Sequence, residues 1–120
     1  MKTLKFIFLA VLALILGTNS FAQSRVNSTK STTKTEMIKV SGNCEMCKAR
    51  IEKAAQTEGV TKADWSIKTK QLTLVYNPSK VKIETIQKRI AAVGHDTPKF
   101  RSAIAKYSSL PACCRYERTK

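Results

Sequence analysis

Apolar residues in this chain fall into short groups whose spacing changes from one group to the next. Residues 6–16 form an unbroken apolar run behind a basic lead, Met1-Lys2-Thr3-Leu4-Lys5. Residues 23–35 are polar, rich in Ser, Thr, Asn and Lys, with Val26 their one aliphatic side chain. Alternation begins in residues 36–41, where Ile38 and Val40 share a face, and predicts a first strand. Over residues 46–57 the period changes. Cys47, Ile51, Ala54 and Ala55 fall on one side of a helix, while Lys48, Glu52, Lys53 and Gln56 face water. Gly59 fits its termination. Ala63, Trp65 and Ile67 then alternate, as do Leu72, Leu74 and Tyr76, giving two more strands with Trp65 and Tyr76 as core residues. Lys68-Thr69-Lys70 joins them without the Gly or Asn that a tight two-residue turn prefers. Asn77-Pro78 breaks the pattern. Ile83, Ile86, Ile90 and Val93 form the stripe of a second helix over residues 83–93, and Gly94 is placed for a left-handed C-terminal cap. Residues 95–100 read as a final strand, confined to an edge by Pro98.

The order βαββαβ predicts an α+β, ferredoxin-like sandwich: a four-stranded antiparallel sheet with two helices on one face. Its expected span is residues 36–100. Beyond it, residues 101–120 form a C-terminal extension in which residues 102–107 have room for one or two helical turns, ended at Leu110-Pro111.

The N-terminus changes where the domain is expected to work. Its apolar run is shorter than the roughly 18 residues of a membrane span. With the basic lead and the small residues of Ser20-Phe21-Ala22, it predicts a secretory signal peptide over residues 1–22, cut before Gln23. Residues 23–35 become a flexible leader. The expected product is exported, with no stable membrane insertion after cleavage. The chain carries 22 basic and 8 acidic side chains, a formal net charge of +14, and loss of Lys2 and Lys5 leaves +12. Export and the scatter of the lysines, without interleaved aromatics, argue against nucleic acid. An acidic protein partner and a merely solvated basic surface both remain consistent with the charge.

All four cysteines lie in the mature chain, as Cys44 and Cys47 and as Cys113 and Cys114. An even count in an exported protein ordinarily means disulfides. Both pairs are local, however, and closing a very short loop stabilises a fold little. Cys44 and Cys47 stand at the start of the first helix, where partial positive charge and unpaired N–H groups favour thiolate, and Lys48 and Arg50 add charge nearby. Gly42 lets the backbone turn between strand and helix. Two surface sulfurs suit Cu(I) or another thiophilic ion, and leave Zn(II) short of the four ligands of a structural site.

The strand–Cys44-x-x-Cys47–helix junction, the βαββαβ order and the Gly94 corner resemble the heavy-metal-associated domain. That family includes copper chaperones, domains of copper-transporting P-type ATPases and the periplasmic mercury-binding protein. The resemblance covers residues 36–100. It implies a metal carrier with Cys44 and Cys47 as ligands, a periplasmic address, and a partner such as a metal-transporting ATPase domain or another carrier that takes the ion by ligand exchange. Cu(I) is the first expectation, with Hg(II), Zn(II) or another thiophilic ion next, in a monomer or a metal-bridged dimer. The family usually has Gly-Met-Thr-Cys where this chain has Ser41-Gly42-Asn43-Cys44, so the Met that packs under the loop is missing and Met46 lies between the cysteines. Where members carry Tyr, Phe or Lys near the metal, this chain has His95, its one histidine.

His95 is therefore a candidate third ligand, and an ordinary polar residue otherwise. Met46 is a softer candidate. Cys113 and Cys114 are candidates for a second site, for a contribution to the first if the tail folds back, for a strained and reducible disulfide with each other, or for disulfides to another chain or to the first pair. Two further functions share the Cys44/Cys47 chemistry: a thiol–disulfide oxidoreductase, and a plain disulfide in an interaction domain. The Glu-Met between the cysteines and the chain's length fit the oxidoreductase poorly.

Overall fold

A computed structural model describes residues 32–119. The expected signal peptide and most of the expected leader lie outside the described residues. Among these residues no helix is long and apolar enough to cross a membrane.

The elements are β1 (Lys34–Lys39), α1 (Glu45–Ala55), β2 (Val60–Trp65), β3 (Gln71–Tyr76), α2 (Ile83–Ala92) and a short α3 (Ile104–Ser108), followed by a 3₁₀ turn at Ala112–Cys114. The strands pair antiparallel in the order β1-β3-β2. Lys34 faces Tyr76 and Lys39 faces Gln71 across β1 and β3, and an irregularity between Val60 and Lys62 bends β2. The first strand thus starts at Lys34, inside the stretch expected to be leader.

β3 shows most directly how the pattern builds the core. Leu72, Leu74 and Tyr76 are buried on one side. They join Trp65 from β2, Cys47, Ile51, Ala54 and Ala55 from α1, and Ile86 and Ile90 from α2 in one cluster. The four α1 residues are those the helical spacing selects. On α2 the stripe stops short of Val93, which is 36% exposed. The β2–β3 connection solves its lack of Gly by being longer than a tight turn. The N–H of Lys70 donates to the Ser66 carbonyl at 2.8 Å, and Lys70 itself takes the left-handed conformation at φ 62°. Its ammonium lies 5.4 Å from the centre of the Trp65 ring.

The expected fourth strand does not form. Among the described residues the sheet has three strands, and residues 95–100 run beside the end of β1 with a single rung, the Ser41 N–H donating to the Asp96 carbonyl at 3.0 Å. The reason is local. The Thr97 N–H donates to the Phe100 carbonyl at 2.9 Å and the Phe100 N–H to Thr97 Oγ1 at 3.1 Å, closing a turn around Pro98. Those groups are spent within the turn and cannot extend a ladder.

The C-terminal extension packs onto the domain instead of trailing from it. Gly94, at φ 111°, ends α2, and a Cβ there would sit 2.7 Å from Leu110 Cδ2. Leu110, Cys114 and Tyr116 are all buried in the main cluster. The Tyr116 hydroxyl donates to the Gly94 carbonyl at 2.8 Å and accepts the Asp96 N–H at 2.9 Å. Arg118 closes the arrangement with two bonds to the Asp96 carboxylate, at 2.9 and 2.7 Å, and one to the Ser102 carbonyl.

Candidate metal centre

The loop that carries the first cysteine pair is fixed from both sides. The Val40 N–H donates to the Lys70 carbonyl at 2.9 Å, and the Trp65 indole N–H donates to the Val40 carbonyl at 3.0 Å. Gly42 lies so close to the Trp65 ring that a Cβ would meet its edge at 3.0 Å and Cys47 Cβ at 3.1 Å. Trp65 therefore fills the floor beneath the loop, the place for which the sequence offered no Met. The aromatic pattern marked Trp65 as core, but nothing in its spacing tied it to this loop.

Cys44 takes the capping position of α1 in extended conformation, and its carbonyl accepts the Lys48 N–H at 3.0 Å. Cys47, one turn on and fully buried, accepts the Asn43 N–H at 3.3 Å. The two sulfurs are 3.5 Å apart, and all four cysteines are free thiols. A covalent bridge would need about 2.05 Å.

The tail adds two more sulfurs. Cys113 Sγ lies 3.2 Å and Cys114 Sγ 3.4 Å from Cys44 Sγ. Arg50 donates to Cys114 Sγ at 3.3 Å. Cys44, Cys47 and Cys114 form a group whose sulfurs all lie within 4.8 Å of one another. Cys113 is exposed and sits 3.6 Å from the thioether of Met46, itself on the surface.

These contacts divide the thiols electrostatically. Burial opposes ionisation of Cys44, but favourable contacts from the Cys113 thiol, the Cys47 amide and the Cys114 and Cys47 thiols outweigh it, bringing its pKa down to about 6. Burial pushes Cys47 up to about 11. Contact with Cys44 raises Cys113, and burial raises Cys114. One thiolate, on Cys44, is thus held by its protonated neighbours. Lys48 adds little here, because its ammonium is occupied by Asp64, Glu52 and the Trp65 carbonyl. Among the described residues, Arg50 is the cation that donates to the sulfurs.

His95 is not brought to the cluster. It is fully buried, its Nδ1 donating to the Ser41 carbonyl at 2.8 Å, and burial lowers its pKa and keeps the ring neutral. Its Nε2 has no hydrogen-bond partner, and it is not one of the donors that converge with the sulfurs. The ring instead stacks on Tyr116, centroids 5.8 Å apart, so it serves as a seat for the tail.

The model of the heavy-metal-associated domain family matches residues 38–96. A solved structure of the CopZ metallochaperone is 32% identical to this chain and covers 53% of it and 98% of the other, with a TM-score of 0.52. Residues 38–96 form a heavy-metal-associated domain. The curated relatives match over a small part of much longer chains. A zinc-transporting ATPase of Synechocystis is 37% identical over 73 residues, 59% of this chain and 10% of its own length. A copper-exporting P-type ATPase of Staphylococcus saprophyticus is 31% identical over 74 residues, 61% of this chain and 9% of its own. The chain thus spans about a tenth of the length of these relatives. The family match ends before the tail, so Cys113 and Cys114 lie outside it.

Proposed function

We propose that this chain is an exported soft-metal carrier that holds its ion through Cys44 and Cys47 and passes it to a partner by ligand exchange. The observation that carries this reading is the free sulfur pair, 3.5 Å apart at a helix N-terminus in a heavy-metal-associated domain, with one thiol poised as thiolate near neutral pH. Cu(I) is the preferred cargo, because thiolate ligands select soft ions and relatives of the domain are named for copper. Hg(II) and Zn(II) are the alternatives. Signal cleavage, on the strength of the N-terminal sequence, and a periplasmic address, on the strength of the family resemblance, complete the reading.

The partner in this reading is acidic, such as a metal-transporting ATPase domain. Besides the chain's net charge, an open groove of about 770 Å³ beside Met46 supports it, being lined by Arg50, Lys53, Arg89 and Lys106. Such a surface steers an acidic partner toward the sulfurs.

The test is competition for Cu(I) between the reduced protein and a chelator, repeated with Cys44→Ser and Cys47→Ser. Tight binding by the parent and its loss in both variants is expected. Equal binding by all three would remove the carrier reading. One observation favours a second reading: a low-pKa Cys44 beside a buried, high-pKa Cys47 is also the asymmetry of a redox pair. Rapid reduction of insulin disulfides, abolished by Cys44→Ser, would decide for that oxidoreductase.

A further inference from the structure

The sulfur of the tail residue Cys114 is the feature that the heavy-metal-associated domain by itself does not explain. We propose that Cys114 is the third ligand of a three-sulfur site for a soft d¹⁰ ion, closing the pair made by Cys44 and Cys47, and that the adjacent Cys113 is not a ligand. This inference rests on the reading of Cys44 and Cys47 as a metal pair.

Geometry separates the two neighbouring cysteines. An ion at about 2.3 Å from each of three thiolates in a plane needs sulfurs about 4.0 Å apart. Cys44 stands 3.5 Å from Cys47 and 3.4 Å from Cys114, and all three lie within 4.8 Å of one another. Small outward movements of each side chain open that triangle around an ion. Cys113 lies 3.2 Å from Cys44 and 3.9 Å from Cys114, but it is Cys114 that groups with both members of the Cys44/Cys47 pair, whereas the Cys113 sulfur is turned to the surface beside Met46.

Cys114 is also held as a ligand should be. It is fully buried, like Cys47. Its N–H donates to the Pro111 carbonyl at 2.8 Å, and its carbonyl accepts the Tyr116 N–H at 2.9 Å. Leu110 and Tyr116 anchor the chain on either side of this turn. The Arg50 guanidinium donates to its sulfur, offsetting part of the negative charge that three thiolates around a univalent ion would build. A protein that needed only two ligands, with an open face for exchange, would gain nothing from a buried third sulfur backed by a cation. Three sulfurs retain a soft ion more firmly than two, so release to a partner has to displace Cys114.

The test uses the reduced protein loaded anaerobically with one equivalent of Cu(I). X-ray absorption should count three sulfur neighbours in the parent and in Cys113→Ser, and two in Cys114→Ser. In chelator competition Cys114→Ser should weaken binding by more than roughly tenfold, the lower end of what losing even a group outside the ligand set costs. Cys113→Ser should leave it unchanged. Should Cys114→Ser fail to fold, judged by the emission of Trp65, the sulfur counts of the parent and Cys113→Ser decide alone. Two sulfurs in the parent overturn the inference and leave the Cys44/Cys47 pair standing. A sulfur count that falls in Cys113→Ser overturns it equally. A parent that binds no more tightly than Cys44→Ser removes both readings together.

Discussion

Replacing Tyr116 by Phe isolates the grip of the tail on the domain. The ring stays, with its stack on His95 and its edge contact with Tyr107 at 5.0 Å. Only the hydroxyl goes, and with it the partners of the Gly94 carbonyl and the Asp96 N–H. Tyr116 is 3% exposed, so water cannot take the hydroxyl's place while the tail remains docked. Each buried group left without a partner costs about 1–3 kcal/mol, which puts the substitution at roughly 2–6 kcal/mol. The cost has a ceiling. Once it exceeds the free energy that docks the tail, the tail leaves and water solvates both backbone groups. Two measurements on the reduced, metal-free protein follow from this. Urea unfolding monitored by Trp65, the chain's one tryptophan, should show at least about 2 kcal/mol lost, or about 8–16 °C in a thermal melt of a domain this size. If the ceiling is reached first, limited proteolysis should clip residues 101–119 from the variant faster than from the parent. A change under about 0.5 kcal/mol, the level of an ordinary surface substitution, with no gain in clipping, would refute the docking described here.

Two further outcomes follow from charge. Alkylation by iodoacetamide should modify Cys44 before Cys47, with a midpoint near the value of about 6 set by its neighbours; modification of Cys47 first would contradict the arrangement. The pKa of Asp96 is lowered because Arg118 and the Ser102 N–H outweigh the burial that opposes its ionisation. With the folded value below the unfolded one, the unfolded state binds the extra proton, so this stabilisation is full above about pH 4 and fades as pH falls through the folded value. Asp96→Asn should therefore cost about 1.5–3 kcal/mol at pH 7 and progressively less in acid. Parallel urea titrations at pH 7 and pH 3 check it, and a penalty that grows toward acid would count against the Arg118 pairing.

How far the sequence carries depends on the range of the interaction. β3 and the α1 face were legible because their burial follows local periodicity: Leu72, Leu74 and Tyr76 by twos, and Cys47, Ile51, Ala54 and Ala55 by helical steps. The strand expected at residues 95–100 was not. Its composition permits a strand, but Thr97 and Phe100 satisfy each other across Pro98 instead of pairing with β1. The left-handed Lys70 shows the same limit, since closure of the longer loop overrides the residue's own preference. At the site, the motif identified Cys44 and Cys47, whereas the roles of His95, Trp65 and Arg50 depend on contacts between distant segments. His95 stood at the family's metal-side position by sequence, yet its Nδ1 is committed to Ser41 and its ring to Tyr116. A Leu, a Tyr and an Arg flanking Cys114 were the available sign that the tail docks, and nothing in their spacing said where.

The contact between Cys44 and Cys114 spans 70 positions, which orders events in time. A ribosome moving at about 5–20 residues per second needs roughly 4–14 s to travel from one cysteine to the other. Through that interval the nascent chain holds its first two thiols without the tail's sulfurs beside them. They are then most open to oxidation, to a mistaken partner, or to an early ion. Whatever guards the young chain has to act until residue 114 can dock, because the fold's own cover is made well after the thiols it covers.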